Sequence, residues 1–392
     1  MRFGKRGMVA AAVSTLFALL SSPSSTAQCD PEEVQKLTAS NGAPFDRFGI
    51  SSSIDGTTAV VGAYLHGSTG TAYVYELENG AWVEQQELIP ATIGTGDWFG
   101  VSVAISGDRI VVGAQLDDDQ GNDAGAAYIF RREASGTWVE EAKLTSAEFS
   151  SADWAGHSVA LSGTLAVVSA QLDDGGAADA GAAYVFRYDG AGWQQEAVLR
   201  ASDPGAGDEF GTSVATDGTV IVIGARRDND AGADSGSAYV FCQDGGGIWQ
   251  QEMKLTAVDA AAGDEFGFSV SVDGDFAAVG ARLEDDAGTN AGAVYIFHHD
   301  GAGNWLHDGK LVPQSLAADD RFGEAVAVCN GLLLAGARQH DAQGSESGAA
   351  YLFRRQSNAT WFEESKLLSS DGAAGDFFGI SVGLDDQRAI VG

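Results

Sequence analysis

A four-residue phrase, Asp-x-Phe-Gly, recurs seven times along the chain. It reads Asp46-Arg47-Phe48-Gly49, Asp97-Trp98-Phe99-Gly100, Asp153-Trp154-Ala155-Gly156, Asp208-Glu209-Phe210-Gly211, Asp264-Glu265-Phe266-Gly267, Asp320-Arg321-Phe322-Gly323 and Asp376-Phe377-Phe378-Gly379, with Ala replacing Phe in the third copy. Its third position falls at 48, 99, 155, 210, 266, 322 and 378, so the steps are 51, 56, 55, 56, 56 and 56. A fixed period of this length marks a repeat architecture, in which each unit buries its apolar face only against its neighbours.

One unit predicts four strands. Phe99 to Ile105 alternates with period two, and Ser106-Gly107-Asp108 turns the chain. Arg109 to Ala114 is nearly all apolar, as a strand buried on both faces must be. An acidic loop, 117–123, leads to a third strand of β-formers over 126–130. Trp138 to Leu144 alternates and carries charge, as suits an edge strand. Tyrosines 73, 128, 184, 239, 295 and 351 recur in the third strand and tryptophans 82, 138, 193, 249, 305 and 361 in the fourth. Recurrence in every unit marks them as core anchors rather than a stacking platform. No stretch shows sustained helical periodicity, which disfavours a βαβ repeat.

The reading is therefore all-β: a seven-bladed β-propeller of four-stranded antiparallel blades over 28–392. The segment from Glu33 to Ser40 copies a fourth strand with no first three ahead of it, while Phe378 to Gly392 supplies a first and second strand only. The last blade is expected to be shared between the two ends and incomplete. Its third strand would lie beyond Gly392, which suggests a piece of a longer protein.

Composition narrows the function classes. The 22 basic residues face 55 acidic ones, and the net charge of −33 opposes nucleic acid and anionic lipid. Residues 1–27 read as a secretory signal peptide. Arg2, Lys5 and Arg6 precede an apolar run over 9–20, and Ser25-Thr26-Ala27 offers a cleavage site. The run is too short to span a bilayer, and no later one is long enough, so no transmembrane segment is expected. The protein should be secreted, periplasmic or at the cell surface; its oligomeric state is not legible. Cys29, Cys242 and Cys329 form neither a disulfide framework nor a zinc pattern.

The chain resembles the FG-GAP repeat proteins, whose best-known members are the integrin α-subunit propellers. Besides the Phe-Gly phrases, it carries the family's Gly-Ala at 62–63, 113–114, 224–225, 280–281 and 336–337, with Ser169-Ala170 deviant. The usual Pro after Gly-Ala is replaced by Tyr, Gln or Arg. The resemblance spans residues 33 to 392 and implies a seven-bladed propeller with the N-terminal segment as outer strand of the last blade. Integrin-type blades often hold Ca²⁺ in an Asp-x-Asp-x-Asp-Gly loop between the first two strands. Here that connection is a turn such as Ser106-Gly107-Asp108, too short to wrap an ion needing six to eight oxygens.

Carboxylates cluster instead between the second and third strands. They are Asp117, Asp118, Asp119 and Asp123; Asp173, Asp174 and Asp179; Asp228, Asp230 and Asp234; and Glu284, Asp285 and Asp286 beside Asn290. The fragment near 340 keeps Asp341 and Glu346, and the first unit has no acid there. Two readings stand: hard oxygen ligands for Ca²⁺, or side chains that cap turns in a solvated loop. The Asp of Asp-x-Phe-Gly is expected to accept backbone N–H groups in a turn. Histidines 66, 157, 298, 299, 307 and 340 are read as sharing no repeat position, and no catalytic constellation stands out. The expectation is an exported, non-catalytic interaction or adhesion module for an extracellular protein or surface glycan. The alternative is a secreted hydrolase or lyase working through the propeller channel.

Overall fold

A computed structural model describes the backbone of residues 14–18 and the whole of 31–392. The leader expected over 1–27, apart from that short backbone stretch, and Cys29 lie outside the described residues. The predicted unit is what forms. In the second blade the strands are Phe99–Ser106, Arg109–Ala114, Ala126–Arg132 and Trp138–Leu144, paired antiparallel in chain order. Five further four-stranded sheets repeat it over 52–88, 155–199, 210–255, 266–311 and 322–367, and no helix occurs among the described residues. Second strands are almost wholly buried, as their unbroken apolar sequence requires.

First strands line the axis. Each packs against the first strand of the next blade, and Val382–Leu384 packs against those of the sixth and first blades. The seventh sheet receives only Val382–Leu384 and Arg388–Val391 from the C-terminal end. Glu32–Leu37 is its outer strand, with the backbone of Ser14–Ala18 between the two contributions. Gln35 exchanges two 2.8 Å hydrogen bonds with the backbone of Trp82. Gln86, in a genuine fourth strand, treats the backbone of Trp138 the same way. Residues 32–37 thus take the place of a fourth strand, as their sequence predicts.

The core lies between blades. The repeat tyrosines have no exposed surface. The repeat Phe meets its own blade's Tyr edge-on, as in Phe266 and Tyr295 at 5.4 Å between ring centres. The third blade has Ala155 in that position, and Phe149, six residues earlier, fills in: its ring meets Tyr184 at 4.7 Å. Trp82, Trp138, Trp249 and Trp305 are buried as predicted, whereas Trp193 and Trp361 are half-buried.

Two further letters of the repeat weld the seams. The Ser of Phe-Gly-x-Ser donates to the Gly carbonyl of the next Phe-Gly phrase. Ser51 reaches Gly100, Ser102 reaches Gly156, Ser213 reaches Gly267 and Ser269 reaches Gly323, at 2.8–3.0 Å. Ser381 reaches Gly49 at 2.8 Å and joins the seventh blade to the first, while the sixth blade has Ala325 in the serine position. The Gly of Gly-Ala lies directly against the same carbonyl, with no room for a Cβ. In the third blade that Gly is Ser169, and the latch is rewired. Ser169 Oγ accepts the N–H of Ser158, and Ser158 Oγ accepts the N–H of Val214.

Candidate functional site at one end of the ring

In every blade the first strand begins, and the second strand ends, at the same end of the ring. The Asp-x-Phe-Gly turns and the loops between second and third strands gather there. The Asp is a turn anchor in all seven copies. Its carboxylate accepts the N–H three residues earlier, from Ala43, Gly94, Ser150, Gly205, Ala261, Ala317 and Ala373, at 2.6–2.8 Å. Burial raises the pKa of Asp97, Asp153, Asp208 and Asp264, with that backbone bond opposing it.

The acidic loops share one plan. The first acid is buried at the loop base: Asp117, Asp173 and Asp228 accept the hydroxyls of Tyr128, Tyr184 and Tyr239 at 2.6–2.7 Å. Glu284 takes this place in the fifth blade, where Tyr295 donates to Asp259 instead. The second acid closes the loop by accepting the N–H five residues on. Asp118 accepts from Asp123, Asp174 from Asp179, and Asp285 from Asn290, at 2.7–2.8 Å; Asn229 does the same for Asp234. Each residue so held is left-handed, with φ of 51–55°.

A lysine of the fourth strand completes the plan. Lys143 Nζ lies 2.7 Å from Asp117 and 2.6 Å from Asp119. Lys254 reaches Asp203, Asp228 and Asp230 at 2.6–2.9 Å, and Lys310 reaches Asp259, Glu284 and Asp286 at 2.6–2.8 Å. In the third blade Arg200 pairs with Asp173 at 3.1 Å. The ammonium stands where a cation bound by these carboxylates would have to sit. His66 and His340 share the loop-base position of Asp117, against the sequence expectation that no repeat position unites the histidines. Lys366 Nζ lies 2.8 Å from His340, and in the first blade Glu87 replaces the lysine and lies 3.5 Å from His66. The integrin-type calcium loop does not fit either, because the first two strands of the second blade are joined by residues 107–108 alone.

Asp259, Glu284 and Asp286 converge to within 4.8 Å of one another, so this loop gives the sharpest test. Burial alone would lower the Lys310 amine, but its bonds to Asp259, Asp286 and Glu284 outweigh this and hold its pKa above the ordinary value. Burial would raise Asp259, yet Lys310 and Tyr295 hold it below the usual range. The pair is therefore lost as pH falls through the folded Asp259 value or rises through the folded Lys310 value, and is flat between. Asp259 and Asp286 are 41% and 69% exposed, which screens the charges. Lys310→Met should cost about 1–2 kcal/mol. Millimolar Ca²⁺ should then raise the melting temperature of the variant and leave the parent unmoved; a chelator-induced drop in the parent would show that Ca²⁺ displaces the lysine.

Inside these loops lies the channel mouth, and here the blades differ. The x of Asp-x-Phe-Gly is left-handed in all seven copies, with φ between 53° and 60°, although none is Gly. Bulky residues rarely tolerate this region, and such strain concentrates at functional sites. Its occupants are Arg47, Trp98, Trp154, Glu209, Glu265, Arg321 and Phe377. Three of them meet a residue that follows Gly-Ala. Trp98 packs against Tyr64 at 4.9 Å, Glu209 binds Arg226 at 2.6 Å, and Glu265 binds Arg282 at 2.7 Å. Phe268 lies under the Arg282 guanidinium at 3.6 Å. His157 Nδ1 donates to Gln115 Oε1 at 2.8 Å, and burial, helped by Arg226, lowers its pKa to about 4.

The sequence pointed to this mouth only through the alternative of an enzyme working in the channel, with none of its residues singled out. The signal lies in two variable letters, the x of Asp-x-Phe-Gly and the residue after Gly-Ala. At the opposite end a cavity of about 590 Å³ among the hairpin turns is lined by Asp55, Asp385, Asp386 and Arg388. Cys242 and Cys329 are free, half-buried strand residues whose thiols burial pushes up to about 12, which suits no nucleophile.

The repeat profile of the FG-GAP family matches seven segments: 31–75, 82–130, 138–186, 193–241, 249–297, 305–353 and 361–392. The chain belongs to the FG-GAP repeat family. Comparison with curated protein sequences returned no match. Among solved structures, this FG-GAP protein is similar to one from Bacteroides fragilis provisionally named a 6-phosphogluconolactonase. The two are 11% identical with a TM-score of 0.57, over 94% of this chain and 99% of the other. A second, from Bacteroides uniformis with the same provisional name, is 13% identical with a TM-score of 0.56, over 91% and 97%. At such identities the likeness speaks for the fold alone.

Proposed function

We propose that this FG-GAP protein is an exported, non-catalytic interaction module. It closes as seven blades and engages an extracellular protein or a surface glycan through the end that carries the channel mouth. One observation supports this most: seven equivalent backbone positions, all held in a costly left-handed conformation, carry unlike side chains at that end. A scaffold under structural demand alone would repeat the side chain or use Gly. In the acidic loops of the second, fourth and fifth blades a lysine takes the place that one of the two readings gave to Ca²⁺. No helix among the described residues is long and apolar enough to cross a membrane.

The test is binding of the immobilised ring to a glycan array and to secreted-protein fractions, with Trp98→Ala and Trp154→Ala beside Asp385→Asn and Asp386→Asn. Loss of the bound partner in the tryptophan variants, with retention in the aspartate variants, is expected. Loss only in the aspartate variants would move the site to the other end. Turnover of a polysaccharide or ester that disappears with His157→Gln would replace the binding module with an enzyme.

A further inference from the structure

Charge at the mouth runs against the rest of the chain. Acids outnumber bases 55 to 22 overall. Yet the arc carried by the fourth to sixth blades sets Arg226, Arg227, Arg282, Arg321 and Arg338 against Glu209, Glu265 and Glu324. The glutamates are all engaged. Glu209 lies 2.6 Å from Arg226 and 3.0 Å from Arg227. Glu265 lies 2.7 Å from Arg282, while Glu324 lies 3.4 Å from Arg282 and 3.0 Å from Arg338.

Two guanidinium groups are left short of acceptors. The Arg321 side chain makes no hydrogen bond or ion pair among the described residues, and only its backbone is bonded, to Asn290 and Glu324. The Nε atoms of both Arg321 and Arg338 are closed off from solvent without an acceptor. Burial lowers the pKa of Arg338; Glu324 opposes that, and the nearby Arg321 and Arg282 add to it. Buried donors without acceptors are costly, and so are crowded like charges. A chain this rich in acid had ample means to satisfy them and does not. An anion entering the mouth would offset the crowded positive charge and offer acceptors to the outer nitrogens of the two guanidinium groups.

Resting on the reading of this end as the binding face, we infer that the arc centred on Arg321 and Arg338 binds a carboxylate group of the ligand. Every acceptor the arc already holds is a carboxylate, and the planar guanidinium fork matches that group two bonds at a time. The carboxylate comes from a small polycarboxylate or from an acidic side chain of a partner protein.

Calorimetric titration at low ionic strength with citrate, a short oligo-glutamate peptide and sulfate separates these sources. At least one carboxylate probe should bind, and Arg321→Gln/Arg338→Gln should weaken it about tenfold or more. Arg354→Gln, on the third strand of the same blade and paired with Glu364 at 2.8 Å, should leave it unchanged. Citrate alone identifies the small ligand, and the peptide alone identifies the side chain. Should the glutamine pair unfold, Arg321→Lys/Arg338→Lys keeps the charge, removes the fork and is expected to weaken binding in the same direction. Sulfate binding as tight as citrate, unaltered binding in both double variants, or no binding of either carboxylate overturns the inference. A partner still captured through this end by the double variant would overturn the carboxylate site and leave the binding-module reading standing.

Discussion

Phe149→Ala should destabilise the ring by about 3–4 kcal/mol, as much as removing a repeat Phe such as Phe266. Phe149 is 5% exposed and lies outside the repeated phrase, so nothing in the periodicity marks it. It packs edge-on to Tyr184 in the blade where the phrase reads Ala155. Deleting the ring strips the tyrosine of its partner and leaves a void between the second and third blades, where Phe149 joins Val111, Ile129 and Val168. The compensation has a direct check. Phe149→Ala combined with Ala155→Phe restores the phrase used by the other blades and should recover most of the loss in denaturant midpoint. Ala155→Phe alone should overpack the site and cost about 1–3 kcal/mol. A cost below about 1 kcal/mol for Phe149→Ala would show that the third blade is held another way.

Gly280→Ala should be nearly as damaging, at about 3 kcal/mol, although Ala is a better β-former than Gly. The reason lies across the seam. A Cβ on Gly280 would overlap the carbonyl oxygen of Gly323, which also accepts the 2.8 Å bond from Ser269. The Ser269 hydroxyl lies in the way as well, and the Gly323 carbonyl is backbone that cannot swing aside. Gly331→Ala, at a turn where the nearest atom is the Cβ of Arg355 at ordinary contact distance, should cost only its left-handed φ of 75°. A thermal scan of the two variants separates seam from turn. Equal shifts would mean that the seam is looser than its geometry indicates.

The fold was legible because the period is long and each letter does a mechanical task. Phe, Gly, Ser, Gly-Ala, Tyr and Trp each meet the next blade or the blade's own sheet, so each recurs. The turn role of the Asp was legible for the same reason. The acidic loops were read as two possibilities because their partner, the fourth-strand lysine, lies about 25 residues along the chain. Lys143, Lys254 and Lys310 recur in register, but only the sheet brings them over Asp117, Asp228 and Glu284. The mouth escaped because repetition draws attention to what is constant. Arg321 and Arg338 occupy the letters that vary, and variation among structurally equal positions is where a ring of like blades acquires one specific face.

The most direct test of that face is a crystal of the protein soaked in bromide, with data collected at the bromine absorption edge. An anomalous peak in contact with the guanidinium groups of Arg321 and Arg338, absent from an Arg321→Gln/Arg338→Gln crystal, is the expected result. Bromide bound elsewhere on the ring, with none at these two arginines, would contradict the account.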